Sequence, residues 1–136
     1  FNLVENRRRM KERFADQEEI EVNTFVQNQS DKIYLEKAIK VVYENLDNSE
    51  FDVPQFCQLM NSSKTLLYSK LKSLTGQSAT EFVRNIRLKE AKKLLQNNAH
   101  QYTISEISYM VGFNDPLYFS RCFRKYFGFP PSEVGK

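Results

Sequence analysis

Apolar residues along this chain recur at intervals of three and four positions, the spacing that places side chains on one face of an α-helix. The clearest pair of such segments lies over about 103–128. The first segment starts at Thr103, which with Glu106 has the spacing of a capping box, and it ends at Gly112. The second has Pro116 in its first turn and carries a stripe of phenylalanines at four-residue spacing: Phe119, Phe123 and Phe127. Two short helices joined at a glycine corner are predicted, as in a helix-turn-helix.

An earlier part of the chain, over about 52–76, has the same organisation. A short helix with Pro54 in its first turn is followed by a corner at Asn61 and by a second helix that stops at Gly76. With one extra residue in the later corner, the copies align as follows: Val53 with Ile104, Phe56 with Ile107, Met60 with Val111, Ser63 with Asn114, Leu67 with Phe119, Leu71 with Phe123, Lys72 with Arg124 and Gly76 with Gly128. Two copies of one unit indicate an internal duplication that forms a pseudo-symmetric pair.

A longer helix is predicted between the two copies, over about 80–97, with apolar residues on more than one face. A helix of this length spans roughly 27 Å at about 1.5 Å per residue. Successive major grooves on one face of B-DNA lie about 34 Å apart. We therefore expect a connector helix that holds two recognition helices near the spacing of the grooves.

The beginning of the chain predicts two more helices. Residues 1–14 form a basic amphipathic pattern, and an isolated helix of this length is marginal in water, so we expect it to belong to a preceding domain or to pack on another copy of the chain. Residues 15–30 have the composition of a linker. A bracing helix is predicted from 30 or 31 to about 46, with these apolar residues: Ile33, Leu35, Ile39, Val42, Tyr43 and Leu46. The fold class is all-α, with about seven helices and the main domain over 31–136.

Composition excludes several classes of function. No apolar stretch approaches 18 residues, which predicts no membrane contact. Cys57 and Cys122 fit small residues within helices, and neither has the spacing of a metal site or disulfide, so a reducing cytoplasm is expected. The chain has no glycine-rich phosphate loop, and its single histidine, His100, is predicted to lie in a loop. Neither an enzyme nor a cofactor is expected.

The net charge of +3 is small, but its distribution along the chain is uneven. Residues 1–62 carry 8 basic and 12 acidic side chains, whereas residues 63–93 carry 8 basic and 2 acidic ones. A positive surface over the middle of the chain fits a nucleic-acid partner, although a solvated helix face has the same composition.

The motifs of the second pair and of the connector together resemble one family. They are Ile104, Ile107, Gly112-Phe113, Tyr118-Phe119-Ser120-Arg121, Phe123-Arg124-Lys125 and Gly128-Phe129-Pro130-Pro131-Ser132-Glu133, with the segment Arg84 to Ala91 in the connector. This pattern resembles the DNA-binding domain of AraC/XylS transcription regulators over about 31–135. It departs from that family at Val134, Gly135 and Lys136, where an aromatic residue and then an arginine are usual. Residues 1–14 resemble the last helix of a receiver domain, as in hybrid two-component regulators.

The resemblance implies that the first turns of two recognition helices enter successive major grooves. The residues carried over by position are Lys64, Thr65, Tyr68 and Ser69 in the first unit and Asp115, Pro116, Leu117, Tyr118 and Arg121 in the second. Arg121 is the principal candidate because a guanidinium can bond guanine O6 and N7, or a phosphate. Family members often have arginine at the position of Ser69, so the first unit is expected to be less selective and to depend on Thr65 and Tyr68. Tyr68 and Tyr118 are alternatively half-buried packing residues.

Phosphate contacts are predicted at the starts of the recognition helices, whose backbone amides favour anions. The residues concerned are Ser62, Ser63 and Asn114, with added charge from Lys70, Lys72, Arg124 and Lys125. Lys70 and Arg124 alternatively serve only to solvate the surface.

The function expected from these patterns is sequence-specific binding of double-stranded DNA by a transcription regulator. An upstream receiver domain would control formation of a homodimer through residues 1–30 when it is phosphorylated. RNA polymerase is a further candidate partner. The alternative is a helical protein-interaction module, which would need an exposed apolar groove.

Overall fold

The computed structural model describes residues 29–97 and 101–135, and within them the chain is helical without a strand. The helices are α1 (Gln29–Glu44), α2 (Val53–Met60), α3 (Lys64–Thr75), α4 (Ala79–Asn97), α5 (Ile104–Met110) and α6 (Pro116–Phe127), followed by a 3₁₀ helix (Pro131–Glu133). This confirms the all-α class. The helix predicted over 1–14 and most of the linker lie outside the described residues, as does His100. None of the described helices is long and apolar enough to cross a membrane.

Side-chain caps fix where the helices begin. The predicted capping box of α5 is present, with Thr103 Oγ1 accepting from Glu106 N and Glu106 Oε1 accepting from Thr103 N, each at 3.0 Å. Asp52 and Gln55 form a second box at α2, and Ser63 caps α3. Each such cap satisfies backbone donors that the helix leaves unpaired. The predicted bounds of the pairs therefore agree with the structure to within a few residues.

The described residues form two compact units. The first contains residues 29–45 and 51–83. Its core is centred on Phe56, whose ring centroid lies 5.7 Å from that of Phe51 and 6.1 Å from that of Phe82. The prediction that Ile33 belongs to the apolar face of α1 is wrong, because Ile33 is 56% exposed. Leu35 is buried, and a side chain two positions away on a helix points to nearly the opposite side.

The second unit contains residues 46–50, 84–97 and 101–135 of the described chain, so α4 is divided between the units after Val83. Phe119 and Phe123 on α6 are fully buried, as the phenylalanine stripe predicted. Phe127 is only half-buried. Its ring lies 4.6 Å from that of Phe123, and the ammonium of Lys92 lies 4.8 Å from the Phe127 centroid. Phe119 and Phe123 are therefore core residues, whereas Phe127 lies at the edge of the core and is partly covered by Lys92.

The two helix-turn-helix corners share one backbone design. Ser62 N donates to Cys57 O at 3.0 Å in the first, and Phe113 N donates to Ser108 O at 2.9 Å at the aligned position of the second. The residue before each of these donors has a left-handed backbone: Asn61 with φ of 56° and Gly112 with φ of 91°. Asparagine and glycine are the residues that adopt this conformation most readily. The predicted duplication therefore extends to the hydrogen bonds of the corner.

Gly112 is under a second constraint besides its φ angle. A Cβ atom at this position would collide with the carbonyl oxygen of Leu46 and lie 2.8 Å from Arg87 Cζ. Gly128, which ends α6 with φ of 87°, has no atom within 4 Å of the corresponding point. The corner thus depends on the absence of a side chain at residue 112, whereas the end of α6 requires only the backbone conformation.

We expect Gly112→Ala to lower the free energy of unfolding by about 3 kcal/mol or more, since left-handed strain and atomic overlap act together. Gly128→Ala is the matched control, with only the conformational cost of about 1–2 kcal/mol. Urea denaturation followed by circular dichroism measures both. Equal losses in the two variants would show that the close approach to Leu46 is unimportant.

Candidate nucleic-acid interface

The outward face of α6 carries most of the residues predicted to contact DNA in the second unit. Five of them are exposed: Leu117, Tyr118, Arg121, Arg124 and Lys125. On the opposite face, Phe119 and Phe123 are fully buried. The helix therefore separates a core face from a face with three cations and two large apolar side chains, which suits contact with phosphates and base edges.

Arg121 is held close to an aromatic ring. Its guanidinium carbon lies 5.9 Å from the centroid of Tyr118, at the edge of the range for a cation–π attraction. The Tyr118 ring in turn lies 6.0 Å from that of buried Phe113. Tyr118 remains 45% exposed, so it both packs on the corner and contributes to the outward face. A packing role for Tyr118 is therefore compatible with a contact between its exposed part and DNA.

The start of α6 has an acidic cap. The capping residue is Asp115, whose Oδ1 accepts from Leu117 N at 3.0 Å, while Asn114 precedes the cap and is exposed. The extra residue in this corner moves the cap one position along the chain, so Ser63 corresponds to Asp115 as a cap. Asp115 brings a negative charge to the amides of the first turn, which makes this end of α6 a poor phosphate site. Pro116 is half-buried in that turn.

The start of α3 has a neutral cap. Ser63 Oγ accepts from Leu66 N at 3.1 Å. The neighbouring Ser62 hydroxyl lies 3.0 Å from the Tyr34 hydroxyl of α1, which holds the corner to that helix. A phosphate beside the first turn of α3 would meet backbone amides without an opposing carboxylate at the cap.

The outward face of α3 includes all four residues carried over from the family pattern: Lys64, Thr65, Tyr68 and Ser69 are exposed. Tyr68 is 53% exposed, so, like Tyr118, it is partly packed and partly available on the outward face. The prediction missed Leu66, which is 45% exposed and, by the pairing of Leu67 with Phe119, is equivalent to Tyr118. Extending the alignment of the two copies through the recognition helices would have identified it.

Two lysines in the second half of α3 make contacts within the protein. Lys70 Nζ donates to Asp31 Oδ1 of α1 at 2.9 Å, which favours a structural role for Lys70 over a DNA contact. Lys72, although exposed, donates to the Gly76 carbonyl at 3.2 Å, where a cation stabilises the end of the helix. The face of α3 is therefore poorer in available cations than the face of α6.

Arg87 of α4 anchors the corner that directs α6. Its two terminal nitrogens donate to backbone carbonyls, one to Gly112 O at 3.1 Å and the other to Asn48 O at 2.8 Å. Arg87 is only 9% exposed. Burial lowers the pKa of its guanidinium to about 10, opposed by the raising effect of the Asp47 carboxylate. The group still carries its charge at neutral pH, so both hydrogen bonds have a charged donor.

The potential metal ligands of the described ranges are dispersed. No group of three or more His, Cys, Asp or Glu side chains there could hold a metal ion. Both cysteines are half-buried and free. The apolar residues that an interaction groove would need are in part consumed by the core, since Leu67, Leu71, Phe119 and Phe123 are fully buried. The arrangement favours binding through polar and cationic helix faces.

Comparison with known proteins gives a consistent result. A model of a helix-turn-helix domain family matches residues 56–136. A histidine kinase P4 from Formosa agariphila is 42% identical over 97% of this chain and 10% of its own length. The Msm operon regulatory protein from Streptococcus mutans is 34% identical over 80% of this chain and 38% of its own length. The chain thus spans 10% and 38% of these two relatives.

A solved structure has a similar fold. The C-terminal domain of the two-component response regulator YesN from Fusobacterium nucleatum is 25% identical, with a TM-score of 0.66. The similarity covers 74% of this chain and 96% of that domain.

We expect Arg87→Lys to lower the free energy of unfolding by about 2 kcal/mol, since a single ammonium does not reproduce the planar fork that donates to two carbonyls. Arg84→Lys, one turn earlier on α4 and only half-buried, is the matched control and should change stability by less than about 0.5 kcal/mol. Thermal and urea unfolding measure both. Unchanged stability of Arg87→Lys would show that the bridge between residues 48 and 112 contributes nothing.

Proposed function

The chain belongs to the AraC-type family of helix-turn-helix transcription regulators, and we propose that it is the DNA-binding output domain of a two-component signalling protein. The observation that carries the DNA-binding part is the outward face of α6, where Arg121, Arg124 and Lys125 are exposed opposite a fully buried phenylalanine face. A helix with that division of faces can enter a major groove without exposing its core.

In the proposed mechanism, α3 and α6 enter successive major grooves of one duplex. The duplicated corners support this, because both units present a capped recognition helix after the same backbone turn. Arg121 would donate to guanine O6 and N7, while Arg124 and Lys125 would contact phosphates. Tyr118 would position the Arg121 guanidinium through the contact between its ring and that group.

The two recognition helices would contribute unequally to sequence selectivity. By the pairing of Leu67 with Phe119, Ser69 stands at the position of Arg121. Lys70 and Lys72 make contacts within the protein. The first unit would therefore supply mainly contacts that tolerate different bases, from Thr65, Tyr68 and the start of α3.

The signalling part of the proposal concerns what lies outside the described residues. An upstream receiver domain would control homodimer formation through residues 1–30, and RNA polymerase would be a further partner of the assembled protein. The similarity to a response-regulator C-terminal domain and the name of the Formosa agariphila relative support this context. We expect such a protein to act in the cytoplasm, where it would meet the DNA.

Titration of labelled duplexes tests the DNA-binding part. A preferred duplex selected from a random pool, and an unselected duplex, are titrated with the chain at about 50 and 200 mM salt. Arg121→Ala should weaken binding to the preferred duplex by about 1–3 kcal/mol and bind the two duplexes more equally. Lys40→Ala is the control, since this cation lies on α1 with its side chain 77% exposed. The proposal fails if the wild-type chain binds neither duplex at low salt.

Substitution of each base pair in the preferred duplex tests the inequality of the units. Each change of a base pair that α6 contacts should weaken the free energy of binding by about 1–3 kcal/mol. Each change of a base pair that α3 contacts should weaken it clearly less. Ser69→Arg should tighten binding to some duplexes and increase the salt dependence, because it adds a cation to the outward face of α3. Equal losses of binding free energy in the two half-sites would mean that Ser69 does not lower the sequence selectivity of the first unit.

A further inference from the structure

Leu117 is a large apolar side chain on the exposed face of α6 that also carries Arg121, Arg124 and Lys125. It is 76% exposed, more than any other large apolar side chain in the described ranges. It lies in the first turn, where its backbone N–H is held by the Asp115 carboxylate. A leucine in this position is fixed on a capped helix start but is surrounded by solvent in the free chain.

Leu117 shares its outward direction with Arg121. The two are four residues apart on one helix, which places their Cβ atoms about 5–6 Å from each other. Both are exposed, and they lie opposite the fully buried Phe119 and Phe123. Neighbouring bases of a strand in B-DNA are separated by about 3.4 Å, so the two side chains can reach base pairs within about two steps of each other.

The major groove offers a leucine one specific partner. Its base edges present hydrogen-bond donors and acceptors, and the only apolar group among them is the C5 methyl of thymine. A leucine can neither donate nor accept a hydrogen bond, so against another base it would leave polar atoms dehydrated and unpaired. Against thymine it would remove apolar surface from water on both sides.

We propose that Leu117 is a specificity-determining residue that contacts the C5 methyl of a thymine within about two base pairs of the guanine bound by Arg121. The inference rests on the proposed function and names the base that α6 selects besides guanine. The occupant is duplex DNA because Arg121, Arg124 and Lys125 bring positive charge to the same exposed face of α6.

The test uses the full 136-residue chain and the preferred duplex of the selection above. Each thymine of that duplex is replaced in turn by deoxyuridine, which lacks only the methyl group. Wild-type affinity, measured by fluorescence anisotropy, should fall about fourfold at one thymine in the half-site bound by α6. That thymine should lie within about two base pairs of a position where Arg121→Ala loses its preference for guanine.

Protein variants distinguish the loss of a contact between Leu117 and the methyl group from a general effect of deoxyuridine on the duplex. In Leu117→Ala the loss on deoxyuridine substitution should disappear, whereas Leu59→Ala should retain it. Leu59 is a leucine that is 49% exposed on α2, outside the two recognition helices, so Leu59→Ala makes the same chemical change elsewhere. Arg121→Ala should bind more weakly but keep the dependence on the methyl group.

Two outcomes would overturn this inference while leaving DNA binding intact. One is that no deoxyuridine substitution under α6 changes the affinity, which would leave Leu117 for contact with a protein partner such as RNA polymerase. The other is an equal loss in wild type and Leu117→Ala, which would assign the methyl contact to another residue. Absence of saturable binding to any duplex would overturn the proposed function itself.

Discussion

The close approach of the Leu46 carbonyl and the Arg87 guanidinium to Gly112 constrains the second unit. The Leu46 carbonyl and the Arg87 guanidinium occupy the space that a side chain at residue 112 would need. Arg87 also joins the Gly112 carbonyl to that of Asn48 through its two terminal nitrogens. The direction in which α6 leaves its corner depends on this junction. The outward presentation of Arg121 and Leu117 is consequently determined by residues that make no contribution to the recognition face.

The two helix-turn-helix units show how one backbone design supports different surfaces. Their corners use the same hydrogen bond, yet one has Asn61 and the other Gly112 at the left-handed position. The inward faces of their recognition helices carry leucines in the first unit and phenylalanines in the second, and Leu67, Leu71, Phe119 and Phe123 are all fully buried. Because the core face and the outward face of each recognition helix are separate, the outer residues can diverge without disturbing the packing. The contrast between Ser69 and Arg121 is an example of that freedom.

Periodicity and capping chemistry were sufficient to predict the helices and the duplication from the sequence. Thr103 and Glu106 could be recognised as a capping box because both partners lie within one turn of helix. At the start of α6, Asn114 and Asp115 are equally suitable cap residues, and only the backbone shows that Asp115 is the cap. Ile33 was misassigned because an apolar residue in an amphipathic segment need not face the core.

The electrostatic contacts could not be predicted in the same way. Lys70 bonds Asp31, which precedes it by 39 residues, and Arg87 bonds a carbonyl 39 residues away as well. No local pattern distinguishes a lysine that is held by another helix from one that is free to contact a phosphate. The exposed residues of the recognition faces were identified by family resemblance, whereas Leu66 was missed because the duplication was not extended through the helix. The surface chemistry of α3 therefore required the structure.

The choice of backbone carbonyls as partners for Arg87 affects how the junction tolerates mutation. Every residue type supplies the same carbonyl at position 48, and Asn48 itself is exposed. Neutral drift at that position, short of changes that alter the backbone path, leaves the acceptor in place. The junction is therefore a small mutational target, limited mainly to positions 87 and 112. The Asn48 side chain accepts from Glu50 N at 3.0 Å, so it is the exposed Ser49 beside it that can acquire new surface chemistry at little cost to the orientation of α6.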